Sequence, residues 1–359
     1  MNFHADEEQR MVMDAVRALA EGKIRAQVGQ WENAGGAPGP ILHAIADLGL
    51  GGLQAPEELD GLGQSVTTLC LVLEELASAD AGLATFILHH EALALAALVR
   101  LGTPAQQSQW ARPLATGSRW AAWADNTPDL TGIYTDGHWQ LSGVARDVLG
   151  ARLANLVVVR AQTEQGPSLF ALALPAAGVM LTQREESLGL CTVGFADLNF
   201  TAATAERLEQ GNASEVLAQL ADVARLGTAA IALGVARAAL SQACRYAQER
   251  EQFGKPIATL QPIQWQIANS ATELETSRVL VQRAAFLLSQ GRTATREIAM
   301  AKAAAGQAAV LGADRAIQIH GGYGYTRDFP VERNYRDAHV LQALHGGPMQ
   351  CKVAVARAA

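Results

Sequence analysis

The stretch AIQIHGGYGYTRDFPVERNYRDA, residues 316–338, decides the reading of this chain. An apolar helical period runs into Gly321-Gly322, and a new helix begins near Pro330. Glycines project nothing at Cβ, so a ligand can lie close against the backbone, where amide N–H groups can cradle a pyrophosphate. Taken alone, the pair is equally an ordinary helix stop. Earlier, YAQEREQFGKPIATLQ, residues 246–261, ends another long helix, with Arg250 in its last turn, then Phe253-Gly254 and Pro256. An arginine so placed can hold a phosphate through two parallel hydrogen bonds. In isolation it pairs with Glu249 or neutralises the helix end. No G-x-G-x-x-G follows a strand, and neither G-x-x-x-x-G-K-[ST] nor H-E-x-x-H occurs.

Three textures surround these motifs. Residues 1–118 read as helices: Phe3, Met11, Val12, Val16, Leu19 and Ile24 recur near helical spacing, and NAGGAPGP (33–40) interrupts them. ILHAIADLGLGGL resumes as a helix that stops in glycines, and VTTLCLVLEELASAD and TFILHHEALALAALVRLG follow as two more. Residues 119–207 read as strands, in HWQLSG, NLVVVRAQ, SLFALALP and FADLNF, with a tight turn at Asp136-Gly137. Residues 208–359 return to helices: one from Glu215 to FGKP, one from Pro262 to Gln290, one N-capped by Thr293 or Thr295 and running to Ile319, and one over Pro330–Leu344. Helices, strands and helices in series imply a helical domain, a β domain and a helical bundle, so a mainly α fold with a β domain.

With 359 residues, 49% of them hydrophobic and 18% charged, the chain can bury a large core. The net charge of −7 and the lack of a basic run exclude a nucleic-acid partner. Cys70, Cys191, Cys244 and Cys351 are scattered and read as reduced thiols of a cytoplasmic protein. The N-terminus has no unbroken apolar core of a signal peptide, and ALALAALV, Ala92–Val99, is too short to span a bilayer, so no membrane insertion is expected.

Together these stretches resemble the acyl-CoA dehydrogenase family over almost the whole chain. FHADEEQRMVMDAVRALAEGKI, LGLGGLQAPEELDGLGQS and LGTPAQQSQWARPLATG look like its N-terminal domain, while YAQEREQFGKPIATLQ and QIHGGYGYTRDFPVERNYRDAHVLQ look like its specific C-terminal signatures. The resemblance implies a β-barrel-like middle domain and a C-terminal four-helix bundle that binds FAD and mediates dimer or tetramer assembly. By matching position, Arg250, Gln252, Phe253 and Gln261 face the FAD of a neighbouring subunit, and Gln318, Gly321 and Gly322 lie along its pyrophosphate. An acyl-CoA substrate and an electron-transfer flavoprotein as acceptor follow from the same resemblance, in fatty acid or lipid metabolism.

The family's base takes the α proton of the thioester as a hydride leaves the β carbon. Most members carry a Glu followed by Gly-Thr where this chain has His345-Gly346-Gly347. A minority carry the Glu beside an Arg on the long helix; Arg225 matches that Arg, but its neighbour is Ala224. Asp222 sits two residues away, about 200° round the helix, and is a poor substitute. The family's Trp-Ile-Thr-Asn stretch is replaced by Asp147-Val148-Leu149-Gly150, with Leu149 in place of a Thr near flavin N5. His345 therefore reads as a replacement base, since imidazole accepts a proton at neutral pH, or as a loop histidine that fills the vacated space. The corresponding alternatives are one chain of a mixed oligomer with a paralogous subunit, a flavin-dependent monooxygenase, and an inactive scaffold paralogue. Elsewhere, His89-His90-Glu91 points to surface or packing roles and not to a metal, Glu74-Glu75 to a solvated helix face, and the six tryptophans to core positions.

Overall fold

The computed structural model describes residues 5–183, 187–208, 210 and 213–358. Phe3, the first residue of the expected apolar helical face, lies outside the described residues. Helix α1 (Glu7–Leu19) opens on a reciprocal cap, in which Asp6 accepts from the Gln9 amide at 2.8 Å and the Gln9 side chain accepts from the Asp6 amide at 3.2 Å. Helices α2 (Val28–Asn33) and α3 (Pro40–Ala46) follow, and α4 (Val66–Ala77) starts at Ser65. Asp80 caps α5 (Ala81–His89), which continues through a π-helical turn into α6 (Ala96–Leu101); α7 (Pro104–Gln106) and α8 (Arg112–Ala115) close this section. The apolar run is thus longer than Ala92–Val99: Ala81–Leu101 spans 21 residues, long and apolar enough to cross a membrane, but 89% of its most apolar window is buried inside the protein.

Among the described residues seven strands follow: β1 (Ala121–Ala124), β2 (Thr131–Thr135), β3 (His138–Leu149), β4 (Leu156–Thr163), β5 (Gly166–Ala173), β6 (Val179–Gln183) and β7 (Phe195–Arg207). The order β4-β2-β3-β7-β5 returns to β4, so the sheet closes into a small barrel, with β1 added beside β4 and β6 beside β7. Closure leaves these five strands no free edge and encloses Leu141, Val157, Val159, Phe170 and Leu198. Asp136 and Gly137, both at positive φ, make the two-residue turn that joins β2 to β3.

The last section is built on α9 (Ala213–Glu249), α10 (Gln261–Ser289), α11 (Thr295–His320) and α12 (Val331–Ala343), followed by α13 (Pro348–Arg357). Alanines and glycines on α9 let neighbours approach closely; the missing Cβ of Gly234 leaves room for the Glu74 carbonyl. A short hairpin, β8 (Glu251–Gln252) and β9 (Lys255–Pro256), joins α9 to α10.

Four expectations need correction. Neither Thr293 nor Thr295 caps α11: the cap position is Ala294, and the Thr295 hydroxyl instead donates to Asp222 at 2.6 Å. The Glu74-Glu75 pair is not a solvated face, because α4 is wedged between α1 and α9. Glu75 is buried and accepts from Arg17 at 2.7 Å and from Arg237 at 2.9 Å, and Glu74 accepts from Arg278 at 2.8 Å. His89 and His90 are both buried, so the surface reading fails and the packing reading holds. Trp265, on the outer face of α10, is 60% exposed and no core residue.

Candidate active site

Two regions carry the residues singled out above. The first is a crevice of about 500 Å³ between the end of α9 and the end of α11, lined by Tyr246, Arg250, Gln252, His320, Gly321 and Gly322 among others. Tyr246 stacks on His320 with ring centroids 4.2 Å apart, and this pair forms the floor. Burial lowers the pKa of His320, so it stays neutral and apolar enough to pack. Arg250 follows α9 directly, and its guanidinium has no partner among the described residues, so neither the pair with Glu249 nor a side-chain cap forms. Gly321 sits at φ +61, and the space where a Gly322 side chain would stand is open to 4 Å. Packing within the chain therefore gives no reason for a glycine at 322, whereas a ligand lying across it does. An unpaired guanidinium, open glycine amides and a stacked aromatic floor fit the pyrophosphate end of a nucleotide such as FAD.

The crevice does not gather every expected residue. Gln318 and Gln261 are exposed and outside its lining, and Phe253 stands on the hairpin tip, 89% exposed at φ +56. With Gly254 at φ +76 the tip has positive φ at both positions, as in a type I′ turn, and a bulky residue adopts it at a cost. Leu149 is buried in the core with Phe86 and Trp120, and Gly150 leaves the space that the Phe86 ring fills.

The second region is the loop between α12 and α13. His345 is its half-buried centre, in the left-handed conformation at φ +53. Arg225 on α9 holds that conformation by donating from Nε to the His345 carbonyl at 3.1 Å, while its other arm pairs with Asp222 at 3.0 Å. Gly346 makes room, since a Cβ there would lie 3.2 Å from Arg225 Nε. Buried Lys302 on α11 donates to the carbonyls of Leu341 and Gln342 at 2.8 and 3.1 Å and fastens the end of α12. Burial lowers the Lys302 pKa to about 8.

The partner of the His345 side chain is one that sequence reasoning missed. His89, the last residue of α5, lies with Nε2 at 2.9 Å from His345 Nε2, the rings edge to face. Burial drives the His89 pKa down to about 4, and burial with the nearby charges of His89, Lys302 and Arg225 takes that of His345 well below the usual imidazole value. Both rings are therefore neutral at pH 7. His89 Nδ1 is buried without a hydrogen-bond partner. His90 points elsewhere: it accepts from the Ala121 amide on Nδ1 and donates from Nε2 to the Gly51 carbonyl, which makes it a strut between α5 and β1. Glu91 accepts from the Leu53 and Gln54 amides, and burial raises its pKa to about 8. No group of three or more potential metal ligands occurs among the described residues.

Residues 6–118 match the family model of the acyl-CoA dehydrogenase N-terminal domain, and residues 214–357 that of the acyl-CoA dehydrogenase C-terminal domain. The chain is 32% identical over 358 residues to the mitochondrial short-chain specific acyl-CoA dehydrogenase of Bos taurus, covering 95% of this chain and 87% of that protein. It is also 32% identical to the caffeyl-CoA reductase-Etf complex subunit CarC of Acetobacterium woodii, covering 96% of each. Among solved structures, butyryl-CoA dehydrogenase from Megasphaera elsdenii superposes with a TM-score of 0.95 at 28% identity, covering 100% of this chain and 99% of that one.

Proposed function

The chain belongs to the acyl-CoA dehydrogenase family, and we propose that His345 takes the α proton in its FAD-dependent α,β-dehydrogenation of an acyl-CoA thioester. Bound FAD supplies the acceptor for the β hydride. The observation that carries the reading is the placement of His345. It stands in the loop after α12, at the position the resemblance assigns to the family's base, it is neutral at pH 7, and three elements converge on it: α5 through His89, α9 through Arg225 and α11 through Lys302.

The chain's own residues divide the work. Arg225 and Lys302 fix the loop backbone, so that the imidazole has one position. Their charges also oppose an imidazolium, so the proton taken there is held weakly and leaves readily. Arg250, Gln252 and the amides at Gly321-Gly322 hold the nucleotide end of the cofactor. The exposed Phe253 tip and Trp265 accord with a neighbouring chain closing over that crevice as a dimer or tetramer. The relative named for an Etf complex supports an electron-transfer flavoprotein as acceptor. Four free cysteines accord with a cytoplasmic location.

The test is an anaerobic titration of the FAD-loaded protein with a panel of acyl-CoAs of different chain length, following flavin absorbance. A reactive acyl-CoA bleaches the wild type. His345→Gln, which keeps a side chain of similar reach but no base, should retain FAD and bleach at least about 100-fold more slowly. Bleaching at the wild-type rate by that variant would remove the base role from His345 and point to a group contributed by another chain.

A further inference from the structure

Two neutral imidazoles in contact admit two arrangements, and these present opposite chemistry to a substrate. In one, His89 Nε2–H donates and His345 carries its proton on Nδ1. In the other, His345 Nε2–H donates and His345 Nδ1 is a bare lone pair. The 2.9 Å separation requires one of them. Nδ1 of His345 has no protein partner among the described residues and, unlike Nδ1 of His89, is not sealed from water, so of the pair's two outer nitrogens it is the open one. Close packing holds His89 in place: it ends α5 and is 5% exposed.

We propose that His89 is a positioning residue, which accepts the Nε2–H of His345 so that His345 offers Nδ1 as the lone pair that takes the α proton. This rests on His345 being the base. The α proton goes to His345 Nδ1, the electron pair of that C–H bond stays on the substrate to form the new double bond, and the β hydrogen departs separately as hydride. The added proton stays on His345, whose Nε2–H keeps its hydrogen bond to His89 Nε2 across the short contact. The groups facing His345 are His89 from α5, Arg225 from α9 and Lys302 from α11, and all three oppose positive charge there. Asp125, in the loop after β1, favours charge on His89, but burial of the ring outweighs it, so His89 stays a neutral acceptor. His89 thus gives the imidazolium formed at His345 an acceptor for its Nε2–H.

Two measurements test this. In protein labelled with ¹⁵N-histidine, without cofactor, NMR should show His345 protonated on Nε2 and His89 on Nδ1; the reverse assignment overturns the proposal. In the FAD-loaded protein, anaerobic bleaching is followed from pH 6 to 9 in wild type, His89→Leu, His89→Gln and His345→Gln. Leucine cannot accept a hydrogen bond and should slow bleaching by about ten- to a hundredfold, with altered pH dependence and a half-saturating acyl-CoA concentration within about twofold of wild type. Glutamine, whose Oε1 accepts as His89 Nε2 does, should restore most of the rate. If His345→Gln is inactive while His89→Leu matches wild type in rate and pH profile, His89 has no such role and the base assignment survives. If His345→Gln bleaches normally, the base assignment itself fails. Should His89→Leu not fold or bind FAD, the tautomers of the wild type decide alone.

Discussion

Gly321 and Gly322 stand side by side and are glycine for different reasons, which separates folding from binding. Gly321 at φ +61 is in a conformation that a side chain strains, so Gly321→Ala should lower folding stability by about 1 kcal/mol. An added Cβ at Gly322 meets nothing within 4 Å, so Gly322→Ala should fold within about 0.5 kcal/mol of wild type and still weaken FAD binding by about tenfold. Urea denaturation of the apoprotein and FAD titration of both variants read the two effects. Wild-type FAD affinity in Gly322→Ala would move the pyrophosphate away from this loop. At this scale the sequence was legible where a residue departs from a motif, which is how His345 stood out. It was silent about His89, because that contact joins positions 256 apart and nothing in the local pattern of two adjacent histidines says which one meets another loop. Adjacent helical positions do face different ways, and that inference held: His90 turns to Gly51 and Ala121, and His89 to His345.

Among the elements, α12 depends on a side chain from its neighbour. Its last carbonyls, at Leu341 and Gln342, are met by buried Lys302 of α11. A cation there also complements the negative end of the helix. Lys302→Met keeps the aliphatic stem and leaves both carbonyls unpaired, so it should destabilise the protein by about 1–3 kcal/mol in chemical denaturation. It should also raise the His345 pKa, since the Lys302 charge is one of the forces lowering it. An unchanged denaturation midpoint would mean that water satisfies the helix end equally well. Helix α4, with its apolar stripe, could be read from periodicity, and α9 from its long alanine-rich run. The start of α11 could not, because Ala294 offers no side chain to signal a cap while two threonines nearby do. Glu74 and Glu75 misled for a related reason: two acids on a helix read as solvent-facing until their arginine partners arrive from α1, α9 and α10.

For the molecule as a whole, the succession of helical, strand and helical sections was written in the local pattern, whereas barrel closure was not, since the pairing of β4 with β2 and of β3 with β7 depends on contacts that no strand announces. The same long-range burial produces a pH dependence of stability that composition does not reveal. Burial raises Glu91 to about 8 and Asp337 to about 7, and lowers His89 and His90 to about 4. Between pH 4 and 6.5 the unfolded chain takes up protons that the buried histidines refuse, so their contribution to stability rises with pH. The buried acids act oppositely: the folded protein keeps protons that the unfolded chain has already released, so their contribution falls as pH climbs toward the folded value. Above pH 6.5 the histidine contribution is flat and the acids remain, so stability should fall between pH 6.5 and 8 by about 1–3 kcal/mol at roughly 1.4 kcal/mol per unit for each titrating group. Urea denaturation across that window checks it, and a flat or rising profile would mean that these carboxyls are ionised in the folded protein. Asp337→Asn isolates one contributor. The amide oxygen can still accept from the Leu190 backbone, at 2.7 Å in the wild type, but no longer titrates, so the variant should lose less stability than wild type between pH 6.5 and 7 and run parallel to it above.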